Sequence, residues 1–85
     1  MANILGMDTV ASETSELVGK NVGGIRKKAG LTQAALAETC GISAPRISEV
    51  ESGRFNPTID TLETIAKALG VDVISLFRPR RQNNR

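Results

Sequence analysis

The stretch from Gln33 to Ser52, QAALAETCGISAPRISEVES, constrains this chain more than any other. It reads as two short helices joined by a tight turn. Leu36, Ala37 and Cys40 recur at helical spacing on the first. Gly41 follows, at a place where a left-handed backbone position would end that helix. Ile42 then precedes Ser43, a good N-cap for the second helix. Ile47 and Val50 stand three apart on the second helix and face back toward the first. A small Ala37, a turn glycine and two buried branched residues are what two helices need to cross closely at a steep angle.

The same local grammar recurs. Leu31-Thr32 with Leu36, Ile42-Ser43 with Ile47, and Val71-Asp72 with Leu76 each put an apolar residue before a capping residue and another four after it. This is the hydrophobic staple with an N-cap, and it predicts three helix starts. Thr58 caps a further helix, with Ile59, Leu62, Ile65, Ala66 and Leu69 as its buried face and Gly70 as its end. A first helix runs from near Ser15 to Ala29 on a stripe of Leu17, Val18, Val22, Ile25 and Ala29, and Gly30 ends it. Gly19, Gly23 and Gly24 interrupt that stripe at a cost of about 1 kcal/mol each against Ala. Either the helix starts nearer Lys20 or these glycines admit a close neighbour, and close packing is the reading preferred. Gly53–Pro57 is a connecting loop, and Val73–Phe77 a short closing helix. The expected fold is all-α: a compact five-helix domain over residues 15–77, with the organising motif at 33–52. A flexible N-terminal arm, 1–14, precedes it, and a basic C-terminal tail, 78–85, follows. The arm, with Ile4, Leu5, Met7 and Val10, either docks on a partner or is a frayed end, with Met1 or Met7 as the natural start.

Eighty-five residues allow one small domain with a modest core. No Trp or Tyr and only two Phe make that core aliphatic. Cys40 is the single cysteine and there is no His, so neither a disulfide framework, thiol catalysis nor zinc binding has its partners. Cys40 reads as a small core residue. No Gly-rich phosphate loop or carboxylate pair in a plausible cleft stands out, which argues against an enzyme, and no cofactor or metal is expected. A lone cysteine, no apolar run of membrane-spanning length and no leader-like N-terminus point to a cytoplasmic protein. The net charge is only +2, with Lys20, Arg26, Lys27 and Lys28 before the motif and Arg78, Arg80, Arg81 and Arg85 after the domain. Between Leu31 and Phe77 the bases Arg46, Arg54 and Lys67 face six acidic residues. Electrostatics alone therefore make a weak case for nucleic acid, and the motif has to carry it.

From about Val22 to Phe77 the chain resembles the lambda-repressor/Cro-like (Xre-type) helix-turn-helix family. The carrying residues are IRKKAGLTQAALAETCGIS, then Ile47, Val50, Glu51 and Gly53, then NPTIDTLETIAKALGV. The resemblance implies a DNA-binding domain whose second motif helix lies in the major groove. It implies a phosphate contact from Gln33 at the start of a helix. By position Ala44, Pro45 and Glu49 match base-edge readers, while Arg46 and Ser48, with Ser43 at the cap, match neighbours that touch bases or phosphates. Here the sequence departs from the family's long polar readers, since Ala44 and Pro45 offer only apolar contact, as to a thymine methyl. Glu49 either accepts from cytosine or pairs with Arg46 one turn back. Arg46 either grips guanine or touches phosphate only. Arg54 and Asn56 suit the backbone beside the loop. Arg26 and Glu51 match a structural ion pair joining helix 1 to the reading helix.

The function expected is a sequence-specific transcriptional regulator, a repressor, acting as a homodimer on a pseudo-palindromic duplex with half-sites about 34–36 Å apart. Val71, Val73, Ile74 and Phe77, or the arm, are the expected dimer contacts. The alternatives are an antitoxin that binds a toxin partner and its own promoter, or a restriction–modification controller.

Overall fold

The computed structural model describes residues 12–79. In order along the chain lie α1 (Glu13–Lys28), α2 (Gln33–Cys40), α3 (Ala44–Glu51), α4 (Ile59–Leu69) and a 3₁₀ helix (Val73–Phe77). The described residues contain no strand. The expected closing helix is thus five residues of 3₁₀ structure rather than a fifth α-helix. Its capping residue explains part of this. Thr32, Ser43 and Thr58 each accept a backbone N–H three residues on, whereas Asp72 makes no side-chain cap bond. One bonded turn without a capped start suits the tighter i→i+3 pattern.

α1 begins earlier than expected. Ser12 Oγ accepts the Ser15 N–H at 2.9 Å, and Glu13 and Glu16 lie in the first turn, where the helix dipole favours acid. Residues 12–14, expected in the arm, therefore belong to the domain. The arm's remaining residues and nearly all of the basic tail lie outside the described residues.

The core is aliphatic, as the composition required. Val18, Val22, Leu36, Ala37, Ile47, Val50, Leu62, Ile65, Ala66 and Leu76 are buried together, with Ile25, Cys40, Ile42, Phe55, Leu69, Val71 and Val73 packed against them. Leu36, Ile47 and Leu76, the inner residues of the three staples, are fully buried. α3 packs on both α1 and α2, α4 packs on α2, and the 3₁₀ helix closes against α1 and α4. Two expected stripe residues fall outside: Ala29 is exposed at the end of α1, and Ile59 is 64% exposed in the first turn of α4. Val71 and Val73, expected at a dimer contact, are half-buried and pack on their own core.

Each α-helix ends at a glycine with positive φ, between 72° and 80°, at positions 30, 41, 53 and 70. The residue after each glycine bonds back to a carbonyl five positions earlier, as in Ile42 N–H to Ala37 O at 3.0 Å and Arg54 N–H to Glu49 O at 3.1 Å. Gly19 has a different reason. A Cβ there would overlap the Val50 carbonyl oxygen and lie 2.6 Å from that of Glu51. The backbone of α1 thus lies directly on the end of α3, which bears out the close-packing reading at Gly19 and fixes the angle at which α3 is presented.

Candidate nucleic-acid interface

Ile47 and Val50 bind α3 to the core, so the positions between and before them, 45, 46, 48 and 49, look outward. Pro45, Ser48 and Glu49 are exposed and Arg46 is half-exposed. Ala44, expected to be exposed, is half-buried and packs on the core. Ser43 is the N-cap: its Oγ accepts the Arg46 N–H at 3.2 Å, so its hydroxyl serves the helix start. Pro45 stands in the first turn, where its missing N–H costs nothing.

Two side-chain clusters frame this surface. The first is built around Glu51. Arg26 Nε donates to Glu51 Oε2 at 2.6 Å and Arg26 Nη2 to Oε1 at 3.0 Å, while Nη1 donates to the Leu31 carbonyl at 2.8 Å. Gln33 Nε2 donates to the same Oε1 at 2.9 Å. The Arg26 and Glu51 side chains are 10% and 11% exposed, so this is a nearly buried fork of charge. Burial by itself would raise the Glu51 carboxyl. The hydrogen bonds from Arg26 and Gln33 and the nearby charges of Arg26 and Lys27 outweigh it, and the group sits below the ordinary carboxylate range. Arg26 is held above its ordinary value by the bond to Glu51, against burial, which lowers it. The expected ion pair is present. Gln33, expected at a phosphate, is tied inward to it by one amide hydrogen.

The second cluster is built around Arg46. Glu49 Oε1 lies 3.7 Å from Arg46 Nε, one turn along α3. Of the two readings left open for Glu49, the structure contains the pair with Arg46. The Arg46 guanidinium also lies over the Phe55 ring, 3.9 Å from its centroid. Phe55 was absent from the sequence-based site. An arginine in the first turn of a reading helix and an aromatic in the following loop would have been the signal to pair them.

Arg54 and Asn56 are exposed on either side of Phe55. Asn56 borders a small crevice of about 100 Å³ with Ser12, Thr14, Pro57 and Phe77. Lys27 and Lys28 are exposed in the last turn of α1. Cys40 is half-buried, and burial pushes its thiol up, away from the reactive thiolate. Among the described residues no group of His, Cys, Asp and Glu could hold a metal ion, and no helix is long and apolar enough to cross a membrane.

A family model described as helix-turn-helix matches residues 25–76, which contain both motif helices and both clusters' α2 and α3 residues. The chain belongs to this helix-turn-helix family of transcriptional regulators. Within it, the HTH-type transcriptional regulator y4dJ of Sinorhizobium fredii is 42% identical over 64 residues, covering 75% of this chain and 83% of that protein. The immunity repressor of Bacillus phage phi105 is 41% identical over 59 residues, covering 69% of this chain but only 41% of the repressor. Among solved structures, a hypothetical transcription factor from Neisseria, NHTF, superposes with a TM-score of 0.76 at 31% identity, covering 79% of this chain and 77% of that one. SinR, a master regulator of biofilm formation solved in complex with DNA, gives 0.68 at 31%, covering 72% and 98%. The helix-turn-helix assignment makes α2 and α3 the motif pair and α3 the reading helix.

Proposed function

We propose that this helix-turn-helix chain is a repressor that binds a specific DNA duplex as a homodimer, without enzymatic activity, in the cytoplasm. One observation carries the reading. α3 is fixed to the core through Ile47 and Val50 while Pro45, Arg46, Ser48 and Glu49 are turned outward, in a family of transcriptional regulators. Such a helix enters the major groove with its first turns against base edges. Arg46 donates to guanine, and Pro45 with the partly covered Ala44 meets thymine methyls. Gln33 keeps a second amide hydrogen beyond the one given to Glu51, and at the start of α2 that hydrogen and the helix N-terminus suit a phosphate. Arg54, Asn56, Ser43 and Ser48 supply the remaining backbone contacts. The phi105 relative is named as a repressor, and SinR was solved on DNA, which supports the same direction here.

The dimer contact is the 3₁₀ helix. With three residues per turn, Ile74 and Phe77 eclipse on one face, and they are 61% and 38% exposed. Two copies joined there would set half-sites one helical turn apart. The test is selection of bound duplexes from a random pool, with sedimentation of the complex. A two-fold-symmetric winner bound by two chains is expected. Binding without any enriched sequence would overturn the reading.

A further inference from the structure

Of the side chains that α3 turns outward, Arg46 is held from two sides. Glu49 lies beside Nε at 3.7 Å, and the Phe55 ring covers one face of the guanidinium at 3.9 Å. The two holders are of different kinds. Glu49 is exposed and on the same helix. Phe55 belongs to the loop after α3, is half-buried, and packs against the hydrophobic core. The loop that carries it is itself fixed. Gly53 turns the chain at a φ of 80°, and its Cα face lies against Glu16 at the start of α1. Phe55 is thus a rigid platform under a long, flexible side chain.

This arrangement has a chemical consequence. A guanidinium has five N–H donors in one plane. Glu49 occupies the Nε side and Phe55 occupies one face. The outer edge, formed by Nη1 and Nη2, makes no hydrogen bond among the described residues. That edge carries two parallel donors, and guanine's O6 and N7 are the paired acceptors of the major groove that match it. A free arginine would first have to lose its rotamer freedom to reach that pose, and here the ring has already removed it.

We infer that Phe55 is a positioning residue for base recognition: by stacking under Arg46 it presents the Nη1–Nη2 edge to guanine and makes that position of the bound duplex specific for G·C. The inference rests on the DNA-binding reading above. It also gives Glu49 a role in holding Arg46 rather than in reading cytosine.

The test compares wild type with Phe55→Leu, Phe55→Tyr and Arg46→Ala on the selected duplex, on its single base-pair variants and on an unrelated duplex. Thermal melting of each protein is followed in parallel. Phe55→Leu keeps the apolar packing and removes the π face. It should lower discrimination about two- to fivefold, the scale of an exposed cation–π contact, at the one base pair where Arg46→Ala abolishes it. Affinity for the unrelated duplex should stay unchanged. Phe55→Tyr keeps the ring face and should retain discrimination. In the Arg46→Ala background, Phe55→Leu should alter discrimination no further. A Phe55→Leu protein that melts lower but discriminates like wild type overturns the inference and leaves DNA binding standing. So does one that loses affinity equally on every duplex. A wild type that prefers no duplex overturns the DNA-binding reading itself, and the inference with it.

Discussion

Gln33, the first residue of α2, donates its amide to Glu51, the last residue of α3, at 2.9 Å. The same Glu51 oxygen takes Arg26 Nη2 at 3.0 Å, so one carboxylate joins the end of the reading helix to α1 and to the start of α2. Gly19, two turns from Arg26 on α1, lies against the carbonyls of Val50 and Glu51. The pose of α3 is therefore fixed at its C-terminal end by a charged fork and a backbone contact, and along its length by Ile47 and Val50.

Breaking this fork from one side should cost more than the pair contributes. Glu51→Ala leaves the Arg26 guanidinium nearly buried and without its carboxylate, and a loss of about 3–5 kcal/mol is expected. Arg26→Met paired with Glu51→Leu removes both charges and should be closer to wild type than either single change. Urea unfolding of wild type, Glu51→Ala, Arg26→Met, Glu51→Leu and the double checks this, and singles no worse than the double would sink it.

Acid should act on the same carboxylate. Its folded value is depressed below the ordinary 4.5, because the hydrogen bonds and charges of Arg26, Gln33 and Lys27 outweigh burial. A depressed acid binds fewer protons folded than unfolded, so stability rises with pH across that window. The contribution is fully present above about pH 4.5 and is lost as pH falls through the lower folded value. Glu51→Gln should flatten that part of the profile. Unfolding midpoints measured from pH 7 to 2 decide it, and parallel curves for the two proteins would rule it out.

Neutral and charged phosphate contacts should separate by their salt dependence. Gln33→Ala removes the bond to Glu51 and, on the duplex, one phosphate hydrogen bond of about 0.5–1.5 kcal/mol per chain, and no charge. Affinity should drop on every duplex with the slope against log salt unchanged. Arg54→Ala removes a cation from each of the two bound chains, so the slope should become shallower by about 0.9 per chain, about 1.8 for the complex. Both are read from titrations at several salt concentrations. Equal slopes for wild type and Arg54→Ala would remove Arg54 from the phosphate contacts.

The elements that were legible in the sequence are those set by local chemistry. Thr32, Ser43 and Thr58 cap their helices, Gly30, Gly41, Gly53 and Gly70 end them, and Leu36, Ile47 and Leu76 lock inward. The Arg26–Glu51 pair was legible only through family resemblance, because nothing local joins residues so far apart. What stayed hidden depends on tertiary contacts. Ile59 fits the helical stripe yet is 64% exposed in the first turn of α4. Val71 and Val73 were placed at a partner surface and instead fill their own core. Phe55 and Asn21 were passed over because an aromatic in a loop and an amide in a helix are locally unremarkable, and only the packed chain gives them partners.

Gly19 separates helix propensity from packing. In an isolated helix Gly→Ala stabilises by about 1 kcal/mol. Here the new methyl would meet the Val50 and Glu51 carbonyl oxygens, which are backbone and cannot rotate away. The expected sign is reversed: Gly19→Ala should destabilise by about 1–3 kcal/mol and, by pushing α3 off α1, weaken DNA binding too. A melting temperature at or above wild type would show that α1 and α3 do not approach as described.

Asn21 is the buried polar residue that ties α1 to the end of the domain. Its Nδ2 donates to the carbonyls of Leu76 and Arg78, each at 2.8 Å, bracketing the close of the 3₁₀ helix. Asn21→Ala should leave those acceptors without their donor and cost about 1–3 kcal/mol. Asn21→Asp is the sharper probe because its shape is the same. At neutral pH it sets a carboxylate against two carbonyl oxygens, so both the lost donor and the repulsion act, and it should be worse than Ala. Those oxygens raise the folded pKa of the new acid, which then binds more protons folded than unfolded. Its penalty must therefore shrink as pH falls, the reverse of the trend at Glu51. The difference in unfolding free energy between Asn21→Asp and wild type, taken at each pH from 7 to 3, isolates this effect from the acid loss common to both. A difference that stays constant across that range would mean that the amide does not hold the 3₁₀ helix, and the face bearing Ile74 and Phe77 would lose its anchor.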